Sequence, residues 1–202
     1  MSLKVLSIDK DVYKKVSEVI KSGGIAIVPT ETVYGFVVDA FNFKAQKTLY
    51  KIKNRNAKKP LVMMAYDIKR VRVFVDISDK ASRIAQRFWP GQLTLIFPTT
   101  EMGQILSGGR KDLGVRIPNN KFMLRLLREM NGPVFTTSVN VSNEKSAKNI
   151  SEVLKFGKVV DVIVDGGQCE FSFESTVIDM IRFPYVIIRK GCLNTDKVLE
   201  YL

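Results

Sequence analysis

The sequence predicts an α/β protein with an open, twisted, mixed β-sheet flanked by helices, in a single domain over residues 1–202. The first supporting observation is alternation. Apolar stripes at helical spacing take turns with short runs rich in Val and Ile through the first two thirds of the chain. The second is that strand follows strand near the C-terminus, which a purely parallel sheet with helical crossovers does not accommodate. The third is the absence of repeats, linkers and low-complexity tracts in 202 residues that are 46% hydrophobic and 26% charged, a length suited to one sizeable core.

Val12, Val16, Val19 and Ile20 share a helix face after Asp9, and Gly23-Gly24 supplies a left-handed stop. Ile25 to Val28 is a buried strand ending at Pro29, and a second extended segment runs through Val37-Val38. Asn42 caps a helix carrying Ala45, Leu49 and Ile52, and Leu61 to Ala65 is the next strand. Ser78 caps a helix that buries Ala81, Ile84, Ala85 and Phe88, and the extended run Leu93 to Phe97 follows Trp89-Pro90-Gly91. Leu113 to Ile117 is a short strand. The stripe Met123, Leu126, Leu127 and Met130 is a helix ended by Gly132, and Pro133 to Val139 returns as a strand. Val159 to Val164, Ser175 to Met180 and Tyr185 to Ile188 read as closely spaced strands before a short helix after Asn194.

Composition narrows the chemistry. The chain has no histidine, which excludes Ser-His-Asp and Cys-His catalysis, HExxH metal sites and histidine proton shuttles. Catalysis must therefore run on cations, hydroxyls, amides and carboxylates. Lys and Arg outnumber Asp and Glu by 32 to 20, a formal charge of +12 that suits polyanions such as nucleotides or RNA, and equally suits a highly charged soluble surface. The two cysteines, Cys169 and Cys192, are too far apart for a redox pair and read as reduced structural thiols. Met1 to Lys10 lacks the apolar core of a signal peptide, and no apolar run approaches the roughly 18 residues of a membrane span. A cytoplasmic protein without a membrane partner is expected.

Several polar segments sit at the ends of these elements. If the basic segment Lys53 to Pro60 is extended, Lys53 and Arg55 point the same way and can grip a phosphate; a solvated basic loop is the plainer reading. Thr136 to Asn143 ends a strand with hydroxyls and amides, and Ser138 and Asn140 share a face. Such a strand end either builds a ligand site or stabilises a turn. Thr30-Glu31-Thr32 has the same character. Arg116, the opening Glu174-Ser175-Thr176 and Arg189 each stand near a strand end, and Gly108-Gly109-Arg110 reads as a flexible or phosphate-facing turn.

Taken together and in this order, these segments closely resemble the YrdC family, the threonylcarbamoyl-adenylate synthases. The resemblance is carried by Pro29 to Gly35, Lys53-x-Arg55 with Lys59-Pro60-Leu61, Trp89-Pro90-Gly91-x-Leu93-Thr94, Val115 to Pro118, Thr137 to Asn140, Ser175 to Asp179 and Ile188-Arg189-x-Gly191. Val139 stands where members usually carry Ala, and Asn143 where Gly is common. The resemblance implies a YrdC-like (RibB-like) sheet with a concave basic surface. It also implies condensation of L-threonine, bicarbonate and ATP, with Mg2+, to threonylcarbamoyl-adenylate and pyrophosphate for tRNA modification by downstream threonylcarbamoyl transferase proteins. By the same resemblance Lys53 and Arg55 are catalytic and, with Lys59, Ser138, Asn140 and Arg189, bind ATP, while Thr32, Arg116 and Ser175 hold L-threonine; no residue is a metal ligand. The chain is expected to be the short single-domain form.

Two other readings compete. One is a module that binds tRNA or double-stranded RNA without chemistry, whose affinity would be salt-dependent and would survive loss of Ser138 and Asn140. The other is a domain handling carbamoyl-adenylate in hydrogenase maturation, which normally sits beside zinc-finger and acylphosphatase modules that this sequence lacks.

Overall fold

The computed structural model describes residues 4–56 and 59–201; Ala57 and Lys58 of the basic segment lie outside the described residues. The strands are β1 (Lys4–Ser7), β2 (Ala26–Val28), β3 (Gly35–Asp39), β4 (Val62–Met64), β5 (Leu93–Pro98), β6 (Asp112–Arg116), β7 (Val134–Ser138), β8 (Val162–Asp165), β9 (Thr176–Asp179) and β10 (Val186–Arg189). They form one ten-stranded sheet in the order β1-β8-β2-β3-β7-β4-β6-β5-β9-β10. The pairings β1/β8, β2/β8, β4/β6 and β5/β9 are parallel and the rest antiparallel, so the sheet is mixed, as the sequence predicts.

The helices are α1 (Val12–Lys21), α2 (Phe43–Ile52), α3 (Ile68–Val71), α4 (Asp79–Phe88), α5 (Glu101–Ser107), α6 (Lys121–Met130), α7 (Ile150–Val153) and α8 (Thr195–Leu199), with a 3-10 turn at Leu154–Phe156. Their starts are fixed by side-chain caps: Asn42 accepts from Ala45 N–H, Ser78 from Ala81 N–H and Asn120 from Met123 N–H. Gly23, at φ +90°, provides the left-handed stop after α1.

Period-two alternation divides the core. Ala26 and Val28 of β2, Val37 of β3 and Val162 and Val164 of β8 meet α1 and α6 on one face. Ile27, Phe36, Val38 and Ile163 face the opposite way, with Ala45 and Leu49 of α2 and Ile84 and Ala85 of α4. The registers Val28↔Gly35, Gly35↔Ser138, Val62↔Thr136 and Met64↔Arg116 carry the α1/α6 face across to β7, β4 and β6. The helices end near Met64, and beyond it that face of the sheet is left for a cleft.

The structure adds and corrects elements. β1, α3, α5 and α7 lie in segments whose short or broken apolar pattern gave no signal. Residues 159–161 precede β8 instead of belonging to it; β9 and β10 pair with each other, whereas β8 pairs with β1 and β2 near the opposite edge of the sheet. The stop after α6 is made by Asn131, at φ +53°, one residue before the predicted glycine. Gly108 and Gly109 form the left-handed turn after α5, and Arg110 pairs with Asp112 at 2.8 Å. The basic segment is not extended at its start, because Lys53 is helical at the end of α2 and Asn54 is left-handed at φ +47°.

Candidate active site

The cleft is open to solvent on one side, and its empty space, the open part included, amounts to about 580 Å³. Its floor is the uncovered sheet face: Gly35 of β3, Thr136 and Ser138 of β7, Val62 and Met64 of β4, Arg116 of β6 and Thr94 of β5. Its rim is the loop from Thr30 to Tyr34, Arg55, Pro60, Glu174, Ser175 and Arg189. Gly35 lets the rim lie close to β7, since a Cβ there would come within 2.9 Å of Thr136 Oγ1.

Two polar clusters meet in this space. The first centres on Arg116, 3% exposed at the end of β6. Its Nε donates to Gly91 O at 2.9 Å, its Nη1 donates to Thr32 Oγ1 at 3.0 Å, and its Nη2 lies 2.7 Å from Glu31 Oε1. Glu31 is equally buried and also accepts from Asn119 N–H at 2.7 Å, so it holds the guanidinium from behind. Thr32 Oγ1 lies 2.9 Å from Thr30 Oγ1. Ser175 Oγ lies 2.8 Å from Thr94 Oγ1 and accepts from Arg189 Nη2 at 3.1 Å, while Arg189 Nε donates to Ser175 O. Burial, then the charges of Arg116 and Arg55 opposing Glu174, leave Arg189 below the usual guanidinium value. Thr32 with Arg116, and Ser175 with Thr94 and Arg189, thus form two hydrogen-bonded groups that line the same cleft.

The second cluster joins the end of α2 to the end of β7. Lys53 is 1% exposed, and its ammonium donates to Ser138 O, to Asn140 O at 3.0 Å and to Asn140 Oδ1. These match the three N–H donors of an ammonium. Ser142 N–H donates to Lys53 O, and Ser138 Oγ donates to Asn140 Oδ1 at 2.9 Å. Burial, followed by the charge of Arg55, pushes Lys53 down to about 7 against the opposing pull of Glu174. Lys53 is therefore a staple beneath the cleft and is not among the residues that line it; it is neither extended alongside Arg55 nor solvated. Arg55 lines the cleft and closes its own loop, donating from Nε to Lys59 O at 3.0 Å and from Nη2 to Pro60 O at 2.9 Å. Lys59 stands outside the lining, its Nζ 3.4 Å from Asn143 Oδ1.

Sequence reasoning gave no role to Glu31, Thr94 or Glu174. Each lies inside a polar segment that the sequence does single out, but pairing across the sheet, absent from local spacing, is what reveals their partners. The cysteines are free, and burial pushes the Cys169 thiol up to about 11. Among the described residues no three His, Cys, Asp or Glu side chains converge on a metal site, and no helix is long and apolar enough to cross a membrane.

An open mixed sheet with a cationic, hydroxyl-lined cleft on its uncovered face defines an α/β protein built to receive small charged ligands. The chain belongs to the Sua5/YciO/YrdC family, whose model, described as "Telomere recombination", matches residues 18–191. It is 33% identical to the threonylcarbamoyl-AMP synthase of Pyrococcus abyssi over 89% of this chain and 54% of that protein. It is 32% identical to a putative threonylcarbamoyl-AMP synthase of Methanocaldococcus jannaschii, over 97% of this chain and 95% of that one. The solved structure of P. abyssi Sua5 complexed with L-threonine superposes with a TM-score of 0.93 at 29% identity, covering all of this chain and 61% of that one. The chain thus spans about half the length of the Pyrococcus relative and nearly all of the Methanocaldococcus one.

Proposed function

We propose that the protein is an L-threonylcarbamoyladenylate synthase, a nucleotidyltransferase that condenses L-threonine, bicarbonate and ATP to threonylcarbamoyl-AMP and pyrophosphate. The observation that carries this reading is the meeting of two clusters in one cleft: Thr32, Arg116 and Ser175, suited to a zwitterion with a hydroxyl, and Arg55 with Ser138, suited to a phosphate. The names of the relatives above support it.

Arg116 pairs with the threonine carboxylate, and its tether to Glu31 fixes the direction of the fork. Arg55 faces the triphosphate and offsets charge as pyrophosphate leaves. Ser138 and Asn140 hold the α-phosphate and ribose region, and Lys53 holds Ser138 and Asn140. The attacking atom is an anionic carbamate oxygen, so attack on the α-phosphorus needs positioning and cations but no imidazole base. Magnesium, where bound with ATP, would supply charge neutralisation of the phosphates beside Arg55, a role that asks for no dedicated cluster of protein ligands. The product then serves threonylcarbamoyl transfer to tRNA by other proteins, and the basic surface favours contact with tRNA.

The test is pyrophosphate release from ATP and magnesium, with and without L-threonine and bicarbonate, with the adenylate identified by mass spectrometry. Release together with the threonylcarbamoyl-AMP mass, only when both co-substrates are present, is the expected result. Folded protein that binds ATP without turnover would move the reading to an RNA-binding module.

A further inference from the structure

Carbamate formation releases a proton: R–NH3+ and HCO3− give R–NH–CO2−, H2O and H+. An N–C bond forms, a C–O bond of bicarbonate breaks, and the oxygen leaves in water. The carbamate oxygen then forms a bond to the α-phosphorus as the bond to pyrophosphate breaks. If the protein catalyses this sequence, the threonine ammonium has to lose a proton before its nitrogen can attack, and the chain contains no histidine to take it.

The cleft offers few candidates. Glu174 is the one carboxylate among the described residues that line it. Glu31 lies behind Arg116, engaged by that guanidinium and by Asn119 N–H. The Tyr34 hydroxyl donates to Gly167 O and accepts from Gly166 N–H, and burial pushes it up to about 12. Lys53 is outside the lining with its donors directed at Ser138 and Asn140.

Glu174 also stands in the right place. It precedes Ser175 of the amino-acid cluster in sequence, and its Oε1 accepts from Ser146 Oγ at 2.6 Å, in the loop that continues from Ser138 and Asn140. It therefore bridges the two clusters, where an amine must lie if its carbamate is to reach the α-phosphorus. Glu174 and Val33 also line a second open cavity, which contains Ser146, so the carboxylate borders both spaces.

Resting on the proposed activity, we propose that Glu174 is a catalytic residue: its carboxylate contacts the threonine ammonium and accepts the proton released as the carbamate forms. On the cleft side it shares the lining with Arg55, Arg116 and Arg189, and its charge acts on Arg189 and on Lys53. From the loop after β7 come Glu144, Lys145 and Lys148, and from α7 and the turn after it Glu152 and Lys155.

The experiment compares wild type with Glu174→Gln in the full chain by threonine- and bicarbonate-dependent pyrophosphate release from pH 6 to pH 9, with threonine binding measured by calorimetry. The amide keeps an acceptor for Ser146 and removes the proton acceptor. Near pH 7 the variant's kcat should fall about 100-fold, in the range of general-base effects. Threonine affinity should stay within about threefold, and the variant's rate should climb about tenfold per pH unit as the free amine becomes available. Glu174→Asp, which retains a carboxylate, should recover part of the rate with the wild-type pH profile, and it decides the matter if Glu174→Gln does not fold. Unchanged kcat, a loss equal at every pH, or a loss reversed by excess magnesium would overturn the assignment. Wild-type turnover in the same assay separates the two readings: its absence removes both, whereas an active wild type with an unaffected variant removes only the role of Glu174.

Discussion

At the scale of single residues, the site depends on charges withdrawn from water. Glu31 and Arg116 are both nearly inaccessible, and removing one partner of such a pair strands the other. Glu31→Gln is expected to cost about 3–5 kcal/mol, read as a lower urea midpoint with unchanged slope, together with weaker threonine binding. Lys53 has a pH signature. The folded chain releases this proton near 7 and the unfolded chain near the ordinary lysine value of 10.5. Between those values the unfolded state binds more protons, so the stability contributed by this residue rises with pH. Relative to Lys53→Met, wild type should therefore gain stability between about pH 7 and pH 9, which urea titrations at the two values would read.

At the scale of elements, caps and cleft are linked. Asn120 holds the first turn of α6, and the residue before it donates its N–H to Glu31. Asn120→Ala should cost about 1 kcal/mol in thermal or urea unfolding. It should also raise KM for threonine more than KM for ATP, because the fraying reaches Glu31 first. The elements most legible in the sequence were those with long apolar stripes: α1, α4 and α6 carry their buried residues at the expected spacing, and β2 and β7 fall inside the predicted strands. β1 was illegible because its strand has exposed and half-buried positions only, and α5 because it has only seven residues. In the cleft, the polar segments could be found from sequence, but the direction of Lys53 could not. Its helical cap and the left-handed Asn54 turn it inward, and only the return of β7 beside it supplies the oxygens that make this tolerable.

At the scale of the whole molecule, α1 and α6 cover part of one sheet face and leave the rest to the cleft. Ligands seated there take the place of a packing layer. L-threonine with a non-hydrolysable ATP analogue should raise Tm, each ligand at about a hundredfold excess over its Kd contributing about 2.7 kcal/mol. A thermal shift assay with threonine and then the analogue would read this, and no shift with either would contradict occupancy of the cleft.

The want of histidine, joined to the buried setting of Lys53, extends to the protein's titration as a whole. Imidazole is the side chain that ordinarily changes charge between about pH 5 and pH 8; this chain has none, and burial pushes one lysine beneath the cleft down to about 7. The basic surface should therefore present an almost constant electric field to an approaching polyanion while the medium acidifies or turns alkaline. The internal ammonium that fastens the end of β7 is the side chain placed to register the change.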